Sequence, residues 1–350
     1  MKPFLPILLL LAPLLAACGR QQGEQEAIVA ERFHTDIRLK TTPVKDQGDT
    51  QLCWIYAMLA TIETEHLMEG DSIDLSAIFL GRHLLVEEVL RRYADGQHPV
   101  SMRGMAPTTL RLLLRYGAMP FTSYRQPEDI NMCSLANRLQ HAADHHRAHR
   151  RGVMALEENI NKTLDDAIGP VPSWVFMLGC QYTYLEFAHS VCQRGEYTAL
   201  TSFTHHPFGS RFVLEVPDNL FAEEFLNVPL DTMMAYINHA LQTGHPVCWE
   251  GDISEPGYDV KRGVARLPQG HPPVTQTSRQ RMFDHFATTD DHCMAIIGMA
   301  HDDSGKRYYI CKDSWGKDNP YEGFVYLEED YVRAKTINIV IPTRVLYTKP

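Results

Sequence analysis

The sequence predicts an α+β fold of two lobes, and two observations predict it. The first half of the 350-residue chain carries successive helical patterns, and its last part carries short β-forming runs separated by turns. A cysteine, Cys53, opens the first helical pattern, with Gln47 six residues upstream. Helices first and strands last is the order of segregated α+β folds rather than of alternating α/β ones.

The elements follow in chain order. Asp49 and Thr50 are N-cap residue types, and residues 53–69 continue with helical character. Trp54, Ile55, Met58, Leu59, Ile62 and Leu67 give that helix a broad apolar surface, which predicts deep packing, and Gly70 stops it. Asp74, Leu75 and Ser76 open a second helix over about residues 77–93, followed by a loop over 94–99. Residues 107–116 read as a third helix, with Leu110, Leu113 and Leu114 inward and Gly117 at its end. Residues 126–164 are polar and helical in part. His145 and His149 there have the spacing of a metal pair, but the surrounding arginines favour a solvated basic face. Residues 198–216 are rich in β-formers and turns. An amphipathic helix over 228–243 ends at Gly244 and leads into an apolar strand, 246–249. Residues 293–299 are apolar, 302–305 form a turn, and 307–312 alternate as a strand does. Residues 323–327 and 336–341 complete an antiparallel set.

Composition narrows the function. The formal net charge of −10 disfavours nucleic acid as a partner. The N-terminus reads as an export signal: Lys2 is followed by an apolar run over 4–15, too short for a comfortable membrane span. Leu15-Ala16-Ala17-Cys18 matches the lipobox of bacterial lipoproteins, so we expect a signal peptide over 1–17 and lipidation at Cys18. The alternative is an ordinary cleaved signal with an incidental cysteine. Residues 18–40 then read as the lipidated residue and a polar tether, and 41–350 as the folded domain. Within it, we expect a helical lobe over about 41–125, an insertion over about 126–197 and a β-rich lobe over about 198–350. Gly19, rather than Asp, after the lipid site favours the outer membrane of the cell envelope. Of eight cysteines, none has paired Cys-x-x-Cys spacing, and no metal or cofactor is called for.

The chemistry centres on Cys53. A thiolate is the nucleophilic form of cysteine, and a helix N-terminus lowers a thiol's pKa. A glutamine amide such as that of Gln47 can donate to an oxyanion. A nucleophile needs a base, and the base needs an orienting acceptor. His292 stands at the mouth of one apolar strand and Asp313 at the end of the next. If the two strands pair around the turn at Gly305, His292 and Asp313 emerge at the same end of the hairpin.

The run Pro43-Val44-Lys45-Asp46-Gln47-Gly48 through Cys53-Trp54, with His292 and then Ser314-Trp315-Gly316, resembles the papain-like cysteine peptidases. Within them the chain is similar to the bleomycin hydrolase/aminopeptidase C branch. The long interval from Cys53 to His292 favours that branch, as do Thr204-His205-His206-Pro207-Phe208, Asn227-Val228-Pro229-Leu230 and Val247-Cys248-Trp249-Glu250-Gly251-Asp252. The resemblance covers about residues 41–341. It implies a papain-like two-lobed fold: a helical left lobe with a central nucleophile helix, an antiparallel β-barrel-like right lobe, and helical insertions. It implies Cys53 as nucleophile, His292 as its ion-pair partner, Gln47 at the oxyanion and Asp313 as orienter. Trp315 would shield His292, or serve as a core aromatic, and Gly104 would border the substrate groove. Peptides are the implied substrates and hexameric assembly the implied state. A C-terminal tail over 342–350 could block the cleft, as in that branch, or simply end the chain.

The position three residues before the nucleophile is Thr50, where secreted papain-type enzymes carry a disulfide cysteine, and that absence fits the branch. Two departures stand out. The orienting residue, usually asparagine, is Asp313, which predicts retained activity with an altered pH profile. Gly104 is flanked by Arg103 and Met105 rather than by the usual second glycine. The rival reading is a catalytically weak or inactive peptide-binding lipoprotein on the same fold.

Overall fold

The computed structural model describes residues 30–127, 130–177 and 179–347. The signal peptide, Cys18 and the start of the tether lie outside the described residues, as do the last three residues of the chain. In chain order the elements are β1 (Phe33–Arg38), α1 (Cys53–Glu69), α2 (Ala77–Asp95), α3 (Ala106–Tyr116), α4 (Met132–Ala148), α5 (Val153–Ile168), β2 (Val175–Met177), β3 (Cys180–Tyr182) and α6 (Tyr184–Val191). There follow β4 (Tyr197–Thr201), β5 (Arg211–Val213), β6 (Glu224–Asn227), α7 (Leu230–Gln242), β7 (Val247–Gly251), β8 (Tyr258–Asp259), β9 (Val264–Ala265) and α8 (Gln276–Asp284). The chain then runs through β10 (His292–Asp302), β11 (Arg307–Lys312), β12 (Phe324–Glu328), α9 (Glu329–Lys335), β13 (Thr336–Pro342) and a 3-10 turn, Thr343–Tyr347.

The helical half and the strand half segregate as expected. Helices α1 to α6 surround one apolar core, built from residues such as Ile55, Phe79, Leu84, Leu112, Leu139 and Leu156. The second core lies on the sheet and under α7, with Met233, Trp249, Ile296, Ile310 and Ile339. Helices α4 and α5, in the stretch expected as an insertion, pack into the first core. Helix α1 lies at the seam: most of its apolar residues join the first core, and Ala60 joins the second. Every residue from Trp54 to Glu65 is buried, so this helix is enclosed on all sides rather than amphipathic.

The main sheet runs β5-β6-β4-β13-β7-β10-β11-β12-β9-β8, and β1 also pairs with β10. Its pairs are antiparallel except β4 with β6 and β12 with β9. Strand β1 corrects one expectation: Phe33–Arg38 falls in the stretch read as tether, yet it is hydrogen-bonded into the sheet along 298–302 of β10. The alternating charge of Asp36 and Arg38 hid it, because an edge strand buries little of its side-chain surface.

A buried ionic knot ties the lobes together. The Glu63 carboxylate, on α1, accepts from Thr42 Oγ1 at 2.5 Å, Lys45 Nζ at 2.6 Å and Leu75 N at 2.7 Å. Lys312, the last residue of β11, reaches the same carboxylate at 3.8 Å and donates to Thr42 Oγ1 at 2.6 Å. Burial alone would push Glu63 up, but the Lys45 and Lys312 charges outweigh it and hold its pKa below the ordinary value. Lys45 stands two residues before Gln47 and Lys312 one before Asp313, so the knot fixes both loops that bear candidate site residues. Replacing Glu63 with alanine leaves Lys312 buried without its counter-charge and leaves Lys45 with Asp74 alone. We expect a loss of about 3–5 kcal/mol of stability, read from the urea midpoint; a midpoint equal to wild type would contradict this role.

Candidate active site

Cys53 is the first residue of α1 and is partly exposed, at the open end of a buried helix. The cap is Leu52, not Asp49 or Thr50, and no side chain caps the helix. The reason is local. Gly48 takes a left-handed conformation (φ 57°), and Thr50 N returns to Gln47 O at 3.3 Å. Residues 47–50 thus form a tight turn before the helix begins. The helix N-terminus keeps its partial positive charge for whatever binds at Cys53.

The turn aims Gln47. Its side chain is buried; Nε2 donates to Thr50 O at 2.8 Å, and Oε1 accepts from Ser314 Oγ at 2.6 Å. The Thr50 carbonyl can only accept, so it sets the amide with its nitrogen toward the helix start and its oxygen toward the Ser314 hydroxyl. Gln47 N also donates to Ser314 O at 2.8 Å, and Asp46 bridges Trp315. The nucleophile turn is therefore stitched to the segment that follows Asp313. We expect Gln47→Ala to lower kcat by about 10²–10³-fold, with a smaller effect on KM. A loss confined to KM would point to a binding role instead.

His292 opens β10 and Asp313 follows the end of β11, so the hairpin around Gly305 delivers both to one end. His292 Nε2 donates to Asp313 Oδ1 at 2.8 Å, which leaves Nδ1 for Cys53. Asp313 is held in turn: Oδ1 also accepts from Ser314 N at 2.7 Å, and Oδ2 accepts from the Tyr258 hydroxyl at 3.3 Å. Trp315 stacks on the imidazole, ring centroids 4.4 Å apart and planes 29° from parallel, with its own ring about a third exposed. It covers the ring on the solvent side, whereas a core aromatic would be enclosed.

The electrostatics favour a charged pair. Burial would push His292 down, but the Asp313 carboxylate and the Cys53 sulfur outweigh it and lift its pKa to about 10. The Cys53 thiol is held well below its ordinary value by a hydrogen bond from the Cys293 thiol and, against the cost of burial, by the hydrogen bond and charge of His292. Thiolate and imidazolium thus stabilise each other. Carboxylates lie near. Burial and the charge of Asp290 push Asp218 up to about 7, despite its ion pair with Arg103. Burial raises Glu250 as well, in part countered by Asn338 Nδ2, which donates to it at 2.8 Å.

Residues 181–349 match the Peptidase C1-like family. A crystal structure of PepW from Lactobacillus rhamnosis HN001 superposes with a TM-score of 0.67, at 16% identity, over 89% of this chain and 82% of that one. The fold is the papain-like two-lobed α+β fold. Two curated relatives are similar along nearly their whole length. Aminopeptidase W of Lactobacillus delbrueckii subsp. lactis is 21% identical, covering 94% of this chain and 88% of its own. Aminopeptidase E of Lactobacillus helveticus is 20% identical, covering 96% and 90%. Together these matches support the papain-like cysteine peptidase superfamily and a peptidase activity.

Within that fold the remaining sequence candidates fall as follows. Gly104 is buried against the indole of Trp54; a Cβ there would meet the ring at 2.8 Å. Trp54 Nε1 donates to Met102 O at 2.9 Å, so the segment of Gly104 is pinned to the residue after the nucleophile. The C-terminal turn lies elsewhere: Arg344 pairs with Glu65 and Glu69, about 18–24 Å along α1 from Cys53 at 1.5 Å per residue. The described part of the tail, to Tyr347, therefore sits at the far end of the nucleophile helix, not in the cleft. Ser314, Tyr258 and Cys293 are site neighbours that sequence reasoning missed. Only Ser314 had a signal, its place between Asp313 and Trp315.

The histidines resolve into hydrogen-bonded groups. His149 Nδ1 bonds to His145 O at 2.8 Å. Among the described residues, His205, His206 and Glu215 have metal-ligand spacing. Gln280 argues against a metal there: its Oε1 accepts from Thr204 N at 2.7 Å, so its Nε2 donates to His205 Nδ1 at 3.1 Å. The His205 proton is then on Nε2, where it donates to Glu215 at 3.2 Å and where a metal would need a lone pair.

Proposed function

We propose that the protein is a cysteine peptidase that removes residues from the free N-terminus of peptides. The observation that carries the reading is the partly exposed Cys53 at the start of α1, beside an imidazole whose other nitrogen is held by a buried carboxylate. In this reading the Cys53 thiolate attacks the scissile carbonyl. The Gln47 amide and the Cys53 backbone N–H receive the oxyanion, and His292 gives its proton to the leaving amine. Water then attacks the thioester, with His292 as base. Asp313 holds the ring and its charge, and Trp315 keeps water from the pair. No metal or cofactor enters these steps.

One feature supports the exopeptidase form: the curated relatives, matched over most of their length, are named aminopeptidases. The test is cleavage of paired fluorogenic peptides with free or blocked N-termini, under reducing conditions and with Cys53→Ala as control. Cleavage restricted to the free-amine member supports the reading. Equal cleavage of both makes the protein an endopeptidase, and no Cys53-dependent cleavage favours the inactive peptide-binding rival.

The reading extends to location. The lipobox at Cys18 supports a lipid-anchored peptidase of the bacterial cell envelope. Cys18→Ser should move the protein from the membrane fraction to the soluble one; retention in the membrane fraction would remove the anchor from the account.

A further inference from the structure

The residue that follows His292 is a second cysteine. Helix α1 packs along β10, and there the Cys293 thiol, 2% exposed, adjoins that of Cys53. It faces Glu250 across the β7–β10 ladder, one residue from the imidazole, and joins the apolar core against which Cys53 packs. Both are free thiols. A nucleophile with thiolate character and solvent access is what a peroxide oxidises first, and a neighbouring buried thiol is what resolves the product.

We propose that Cys53 and Cys293 form an oxidative modification site: a hydroperoxide oxidises Cys53, and Cys293 captures it as an intramolecular disulfide. The first step breaks the O–O bond. The Cys53 thiolate takes the terminal oxygen as Cys53–S–OH, and the other oxygen leaves as hydroxide or alkoxide and is protonated. In the second step the Cys293 sulfur attacks the sulfenyl sulfur. The S–O bond breaks, and the departing hydroxide takes the Cys293 proton as water. Two thiols lose two electrons and two protons, and one hydrogen peroxide becomes two waters. Burial and the Cys53 thiolate hold the Cys293 thiol protonated at rest; oxidation removes that thiolate charge, so the resolving step is favoured only after the first has occurred.

The disulfide would block the nucleophile reversibly and spare it from further oxidation to sulfinic acid, which thiols do not reverse. The loss of peptidase activity rests on the function proposed above, but the bond does not, and the two are read separately. The experiment treats the reduced full chain with hydrogen peroxide, alkylates the remaining thiols, and maps the digest by mass spectrometry. We expect a peptide pair joined through Cys53 and Cys293 that separates on reduction, with activity lost by oxidation and recovered by dithiothreitol. In Cys293→Ser, and in Cys293→Ala as a second variant, Cys53 should advance to sulfinic acid and thiol should no longer rescue it. Sulfinic acid at Cys53 of the wild-type chain, with no joined pair, would overturn the proposal, as would Cys53 joined to another cysteine. A joined pair in a chain that never cleaves peptides would uphold this site and overturn the peptidase reading.

Discussion

Cys53→Ala lowers kcat/KM on a free-amine peptide by about 10⁵-fold, with folding intact. The magnitude follows from how nucleophile and base act: removing either member of such a unit removes nearly all that the unit contributes, and what remains comes from binding and oxyanion stabilisation. Folding should persist because the thiol is at the exposed end of α1, while the helix is held by Trp54, Ile55 and the Glu63 knot. The measurement pairs kcat/KM with circular dichroism and a thermal melt. A variant that keeps a tenth of the wild-type rate would mean that another group carries the chemistry.

Asp313→Asn leaves the enzyme active and narrows its pH range. In the wild type the pair works while Cys53 is ionised and His292 protonated, so kcat/KM rises as pH climbs through the thiol's ionisation and falls as it passes that of His292, near about 10. The carboxylate is one of the two groups that raise His292 against burial. An asparagine can still accept from Nε2 but carries no charge, so the falling limb should move down by about one to three pH units. A less persistent imidazolium also stabilises the thiolate less, so the rising limb should move up. Superimposable profiles for the two proteins would remove Asp313 from the electrostatics of the site.

These predictions rest on parts of the molecule that differ in legibility. Helix α1 could be read to its last residue, because Gly70 in a left-handed cap ends it and its apolar positions leave no polar face. The His292–Asp313 hairpin could be read because the turn at Gly305 and the apolar alternation fix its register. The cap of α1 was misread, since Asp49 and Thr50 have cap chemistry but are used in the turn that aims Gln47. Helix α8 was not visible: Gln276–Asp284 is polar, and its capping box pairs Thr275 with Ser278 rather than with an acidic residue. What fixes it is tertiary, the buried Arg279 guanidinium bound to the carbonyls of Ser202 and Thr336. Cys293 was hidden for a different reason. Strand alternation puts it on the face opposite His292, and only the packing of α1 across the start of β10 makes it a neighbour of Cys53. The Glu63 knot joins residues far apart in the chain, and no local pattern announces it.

The central claim is that Cys53 exists as a thiolate paired with imidazolium, and it can be tested without knowing the substrate. The measurement is the rate of Cys53 alkylation by iodoacetamide as a function of pH, followed by peptide mapping, in the wild type and in His292→Ala. The account predicts that wild-type Cys53 reacts at mildly acidic pH, where a free thiol with a pKa of about 8.5 is almost unreactive, and that His292→Ala restores ordinary thiol behaviour. A wild-type titration that follows a free peptide thiol, unchanged by His292→Ala, would contradict it.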